Sequence, residues 1–174
     1  MLRWDGTWLW AGGVVYADPP THPTVLNVRY IPAEQLPKGT RRFTPKKNHK
    51  TWGRRVQPLG AWRITGRTRT LVVLEGLFDM LVTAQKLHEL GRETDTVAIY
   101  TNGSSPSAKM LAWFSEQSRY EYILIRDPDQ AGQEWEESVS AAIRHGGAQL
   151  HCLCPPETLD PDEAILNGWW PSAI

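Results

Sequence analysis

The stretch Thr70–Leu81, TLVVLEGLFDML, decides the fold. Leu71-Val72-Val73-Leu74 is a short unbroken apolar run, the kind that fills a strand buried on both faces. It stops at an acid, Glu75, and a glycine, Gly76, that would allow a tight turn. A second acid, Asp79, follows inside another apolar run. From there Leu77, Met80, Leu81, Ala84 and Leu87 recur at three- and four-residue spacing, which predicts an amphipathic helix with Gly91 as its stop. Two carboxylates thus stand where a buried strand becomes a buried helix.

The alternation continues outward from this stretch. TVAIYTNG (96–103), YEYILIRD (120–127) and AQLHCLC (148–154) read as three more strands. Helices are expected from Ser105-Pro106 into SAKMLAWFSEQS, from about Gln130 to Arg144 before Gly146-Gly147, and over DPDEAILNG. Four short strands joined by helices indicate an α/β fold over residues 70–174, doubly wound around a mainly parallel four-stranded sheet. Residues 1–69 differ. TWLWAGGVVYAD and TVLNVRYIP are β-rich runs separated by DPPTHP, and residues 34–69 read as loops with one or two short strands such as AWRIT (61–65). The expected organisation is a small β-rich basic lobe over 1–69 and the α/β domain over 70–174.

At 174 residues and 41% hydrophobic, the chain can bury one sizeable core with an appended lobe. No apolar run approaches the roughly 20 residues of a membrane span, and MLRWDGTWLW lacks the apolar segment of a signal peptide. Cys152 and Cys154 stand two apart in a strand, poorly placed to pair with each other. These features predict a cytoplasmic protein with no membrane partner.

A formal net charge of zero hides a segregation. Residues 35–74 hold eleven Lys/Arg and no acid, whereas residues 75–174 hold sixteen acids against six bases. In the basic stretch, Arg41, Arg42, Lys46, Lys47, Lys50, Arg54 and Arg55 surround Trp52. An isolated charge run is ordinarily a solvated loop. Cations interleaved with rings also suit a polyphosphate backbone, with Trp52 as the candidate for base stacking.

In a doubly wound sheet, ligands bind outside the carboxyl ends of the strands, where the strand order reverses. Glu75 ends the first strand, Asp127 and Asp129 the third, and Asp160 and Asp162 follow the fourth. Asp79, in the first turn after Glu75, can point back to the same place. Convergence of Glu75 with Asp127 and Asp129 predicts that the first and third strands are neighbours, in the order 2-1-3. Taken singly, a terminal Glu is often a helix-dipole partner and a D-x-D before a helix is often a cap. Several acids at strand ends of one small sheet point instead to a site. Clustered carboxylates repel and raise one another's pKa unless a cation neutralises them. Arg126 should face away. A hard divalent ion that prefers oxygen ligands is the simplest relief, and two such ions can stabilise both oxygens of a phosphoryl transfer.

VVLEGLFDML, IYTNG, ILIRDPDQAG and LDPDEAI together resemble the TOPRIM domain in the version carried by bacterial-type and phage or plasmid DNA primases. The resemblance covers residues 70–168 and rests on the E-G-x-x-D and D-x-D-x-A-G elements. It implies that Glu75 is the central catalytic acid, in proton transfer or metal coordination, and that Asp127 and Asp129 ligate a divalent metal. Asp79, Asp160 and Asp162 would complete the cluster around a second ion. Mg²⁺ or Mn²⁺ is the implied cofactor. The implied activity is a primase-type nucleotidyltransferase that joins ribonucleoside triphosphates into short RNA primers on a single-stranded DNA template held by the basic lobe. A replicative helicase or separate primase modules are the implied partners.

Two departures from the family pattern bear on this expectation. His151 and Cys152-x-Cys154 have the wrong spacing for a zinc ribbon, so no zinc is expected. No helical subdomain follows residue 168, which suggests a minimal primase, a subunit with a partner, or a catalytic core. Alternatives are a metal-dependent TOPRIM nuclease or RNA-maturing hydrolase, with water as the attacking group, and a non-catalytic nucleic-acid-binding module. The presence of every matching acid argues against the last.

Overall fold

The computed structural model describes residues 3–4, 7–8, 13–19, 25–30, 49–53, 56–156, 158–172 and 174. The chain forms two compact units, residues 1–54 and 55–174. In the first, β1 (Arg3–Trp4) pairs antiparallel with β2 (Thr7–Trp8). A separate antiparallel sheet has the order β3 (Gly13–Asp18), β4 (Val25–Tyr30), β5 (His49–Gly53). Nearly all the described residues of this unit lie in these strands.

The second unit is built on four parallel strands: β6 (Thr70–Leu74), β7 (Thr96–Tyr100), β8 (Glu121–Ile125) and β9 (Leu150–Leu153), in the order β7-β6-β8-β9. The helices are α1 (Leu77–Glu89), α2 (Ala108–Glu116), α3 (Gln130–His145) and α4 (Pro161–Leu166). The expected α/β class and the 2-1-3 neighbourhood are both found: Leu71 of β6 lies beside Val97 on one side and Tyr122 on the other. Chain direction across the sheet reverses after β7. Right-handed crossovers on either side of such a reversal place their helices on opposite faces. Accordingly α1 and α4 pack together on one face, and α2 and α3 on the other.

The period of two along a strand assigns the core. Leu71 and Val73 of β6 join Val97, Ile99, Tyr122 and Leu124 in a cluster with Met110 and Phe114 of α2 and Trp135, Val139 and Ile143 of α3. Val72 and Leu74 point to the other face and are equally buried, so both faces of β6 are apolar and its run is unbroken.

Three local readings differ from the structure. AWRIT is not a strand: Ala61–Arg63 form a single 3-10 turn. Gly60 enters it at a φ of 89°, and the Arg63 guanidinium donates to the carbonyl of Ala98 and approaches Met80 Sδ at 3.0 Å. With the exchange of hydrogen bonds between Leu59 and Tyr100, at 2.9 and 3.0 Å, these contacts make residues 55–69 part of the second unit. Helix α2 begins later than Pro106 because Ser107 is its cap, its hydroxyl accepting from Met110 N at 3.3 Å. Gly76 has a φ of −103° and ψ of 160°, extended values that any residue adopts, so the turn after Glu75 does not need glycine's freedom. Gly91, in contrast, ends the α1 region at a φ of 67°.

Candidate metal centre

Because every strand of this sheet runs the same way, every strand-to-helix turn falls on one edge. Glu75 leaves β6, Asp127 leaves β8, and α1, α3 and α4 all begin there. Helix N-termini carry partial positive charge, which favours acids in the first turn. Asp79 lies in the first turn of α1, Asp129 is the cap of α3, Asp160 the cap of α4, and Asp162 lies in the first turn of α4. The resulting cluster sits between the central strands β6 and β8, where the strand order reverses.

Hydrogen bonds knit the cluster across elements distant in sequence. Asp127 N donates to Glu75 Oε1 at 3.4 Å, joining the ends of β8 and β6. Asp162 N donates to Asp79 Oδ1 at 3.2 Å, joining α4 to α1. Gly132 N donates to Asp129 Oδ1 at 2.7 Å. Asp129 is therefore the N-cap that a D-x-D before a helix commonly supplies, with one of its two oxygens engaged. A Cβ on Gly132 would fall 2.3 Å from the Asp127 carbonyl oxygen, so the glycine of DPDQAG lets α3 start directly against the backbone of Asp127. That requirement was not drawn from the sequence, although the glycine two residues inside an expected helix was the available signal.

Burial and mutual repulsion set the electrostatics. Glu75 is 5% exposed and Asp79 8%. Burial, followed by the Asp129, Asp79 and Asp160 carboxylates, raises the Glu75 pKa to about 7, against a lowering by the Asp127 amide. Burial first, then Asp127 and Asp162, raises Asp79 to about 7 despite the Asp162 amide. Burial, then Glu75, Asp160 and Asp129, raises Asp127 to about 7. Asp160 is also raised, by burial and then by Asp162 and Asp129. Four of the six carboxyls, those of Glu75, Asp79, Asp127 and Asp160, are thus pushed up by burial and by carboxylates of the same cluster. Arg126, the adjacent base, pairs with Glu136 of α3 at 3.3 Å and donates from Nη1 to the Asp127 carbonyl at 3.0 Å.

Asp127 Oδ1 is buried without a hydrogen-bond partner, which is costly for a carboxylate oxygen. An all-carboxylate donor set with an orphaned oxygen fits a hard divalent ion in charge and chemistry. Among the described residues, no three Asp, Glu, His or Cys side chains are gathered closely enough to grip an ion as they stand. Binding would therefore draw the carboxylates inward.

Arg41, Arg42, Lys46, Lys47, Arg54 and Arg55 lie outside the described residues. Lys50 and Trp52 belong to β5, with backbones paired opposite Val28 and Leu26. Cys152 and Cys154 are free thiols in and just after β9. Among the described residues, no helix is long and apolar enough to cross a membrane.

Fold and site together define a class: a parallel α/β domain that collects carboxylates at its switch point. A family model described as Toprim-like matches residues 72–165, and the chain belongs to that family. The resemblance carried by the acid motifs is therefore borne out. The chain is also similar to the crystal structure of the zinc-binding and RNA polymerase domains of the Aquifex aeolicus primase, with a TM-score of 0.61 at 17% identity. That alignment covers 90% of this chain and 36% of the primase chain. The RNA polymerase domain of Mycobacterium tuberculosis primase DnaG is similar with a TM-score of 0.62 at 16% identity, over 92% of this chain and 52% of that one. At these identities the likeness is one of fold. No curated protein matches the sequence significantly.

Proposed function

We propose that the chain is the catalytic core of a DNA primase, a metal-dependent nucleotidyltransferase that makes short RNA primers on single-stranded DNA. The observation that carries this reading is the meeting of six acids at the β6/β8 switch point of a Toprim-like domain. The likeness in fold to two primase RNA polymerase domains supports the choice among Toprim chemistries.

In this reading Asp127, Asp129, Asp79, Asp160 and Asp162 hold Mg²⁺ or Mn²⁺, with room in the acid count for two ions. Bound there, the metal supplies charge neutralisation and polarises a phosphoryl oxygen. Glu75 is suited to take a proton from an attacking 3′ hydroxyl, because burial holds its pKa near neutrality. Its carboxylate is steadied by the amide of Asp127, so the acceptor is aimed before substrate arrives. The acids cannot hold a polyphosphate by themselves. Arg41, Arg42, Lys46, Lys47, Lys50, Arg54 and Arg55, with Trp52, are assigned to the single-stranded template and ribonucleoside triphosphates. The chain spans 36% and 52% of the two primase chains it resembles. Helicase contact and any further primase modules are accordingly assigned to other segments or other chains.

The test is incubation of the protein with single-stranded DNA, labelled ribonucleotides and Mg²⁺ or Mn²⁺. Oligoribonucleotides that form with the wild type and vanish with Glu75→Gln support the proposal. Degradation of the DNA without synthesis refutes it in favour of a nuclease.

A further inference from the structure

The parallel ladder between β6 and β7 ends at the Leu74–Tyr100 pair, yet the segments that follow the two strands stay joined beyond it. Thr101 N donates to Leu74 O and Gly103 N donates to Glu75 O, both at 3.0 Å. Asn102 and Gly103 have positive φ values of 63° and 117°. The left-handed step at Asn102 turns the Gly103 amide back toward Glu75. Two successive carbonyls at the end of β6, including that of Glu75 itself, are thereby tied to a three-residue turn.

The turn is in turn fastened to the opposite layer. Thr101 is 1% exposed. Its hydroxyl accepts from Trp135 Nε1 at 2.8 Å and donates to the Gly103 carbonyl at 3.0 Å. Trp135 is fully buried in α3, the helix capped by Asp129 and seated on the backbone of Asp127. One buried hydroxyl therefore links the element that carries Asp129, the 101–103 turn, and the main chain of Glu75.

We propose that Thr101 is a positioning residue for Glu75: its hydroxyl, anchored by Trp135, locks the 101–103 turn that holds the Glu75 backbone in register with Asp127 and Asp129. The consequence for turnover rests on the nucleotidyl-transfer reading above; the clamp itself does not. Loss of the hydroxyl strands the Trp135 Nε1–H in the core and frees the Gly103 carbonyl, so the turn loses its fixed geometry. A displacement of about 1 Å at a reacting group can lower turnover roughly 100-fold.

The test compares Thr101→Val, which removes the hydroxyl at nearly constant shape, with Thr101→Ser, which keeps it, and with Trp135→Phe. Two readouts are taken on the full chain: hydrogen exchange of the Gly103 amide, and primer synthesis resolved into kcat and KM. Thr101→Val is expected to speed Gly103 exchange about tenfold or more, as expected for a locally opened segment. It should also lower kcat about tenfold or more while KM for ribonucleotide stays within about twofold, the pattern of a misplaced group rather than lost binding. Thr101→Ser should restore both values to within about threefold, and adding Trp135→Phe to Thr101→Val should cost little more, because the two act through one link. Gly103 exchange in Thr101→Val equal to the wild type overturns the proposal. So does activity that merely follows the fraction of folded protein, with Thr101→Ser as impaired as Thr101→Val. If the wild type makes no primers, the nucleotidyl-transfer reading fails and Gly103 exchange alone decides the clamp. If Thr101→Val does not fold, Trp135→Phe takes its place with the same two readouts.

Discussion

Replacing Asp79 with asparagine is expected to stabilise the divalent-free protein at pH 8 and to make its stability less dependent on pH. Asp79 is 8% exposed, and burial with the nearby Asp127 and Asp162 carboxylates raises its pKa from 3.8 to about 7. The folded protein thus holds this proton more tightly than the unfolded chain does. Between about pH 4 and pH 7 the folded state carries more protons, so stability falls as pH rises and levels off above that window. A rise of about three units at about 1.4 kcal/mol each sets an upper limit of about 4 kcal/mol at pH 8. Because the acids titrate together and solvent screens the edge of the sheet, about 2 kcal/mol is the gain expected for the variant. Asparagine keeps an oxygen to accept from Asp162 N, so the link between α1 and α4 survives. Urea unfolding in EDTA, followed by circular dichroism at 222 nm, measures the effect, since all described helices belong to residues 55–174. At a slope of about 2 kcal/mol per molar, the midpoint should rise by about 1 M at pH 8 and by less at pH 5. Saturating Mg²⁺ should stabilise the wild type more than the variant and so narrow or reverse the difference. Wild-type stability in EDTA that is flat or rises from pH 5 to pH 8 would refute the reasoning, as would a variant less stable than the wild type at pH 8.

Further outcomes test other parts of the structure. Gly132→Ala places a Cβ 2.3 Å from the Asp127 carbonyl oxygen and is expected to lower stability by about 1–3 kcal/mol, as overpacking against rigid backbone does. Calorimetry should show that loss, and Gly132→Ala should also bind Mn²⁺ more weakly because Asp127 must move. Changing Lys46, Lys47 and Lys50 together to Ala should weaken single-stranded DNA binding and reduce its salt slope by about 0.7 for each phosphate no longer neutralised, or about 2 in all. Unchanged binding in a fluorescence-anisotropy salt titration would place the nucleic acid elsewhere.

The α/β domain was legible in the sequence because its signals are local and redundant. Leu71–Leu74 is apolar without alternation since both faces of β6 are covered, and the spacing of Leu77, Met80 and Leu87 marks the buried side of α1. The strand order was legible for a different reason: Glu75, Asp127 and Asp129 can meet only if β6 and β8 are neighbours. What escaped depended on contacts between distant residues. Arg63 belongs by composition to a basic stretch, but it caps the carbonyl of Ala98 and turns AWRIT away from a strand. Thr101 looked like the tail of a strand and Trp135 like simple packing, and only the fold brings indole and hydroxyl to 2.8 Å. Asp129 shows how two readings can both hold, since one oxygen caps α3 while the carboxylate still contributes to the field at Glu75.

The central claim is that the six acids form a site for divalent metal, and Mn²⁺ binding followed by electron paramagnetic resonance tests it most directly. Titrations at pH 6, 7 and 8 should compare the wild type with the Asp127→Asn/Asp129→Asn double variant. The wild type is expected to bind Mn²⁺ with an affinity that climbs across this range, because Asp79 and Asp127, with pKa values near 7, must lose protons to bind. The double variant is expected to bind roughly tenfold more weakly or worse. Equal Mn²⁺ affinity in the two proteins, or no binding by the wild type at pH 8, would contradict the account.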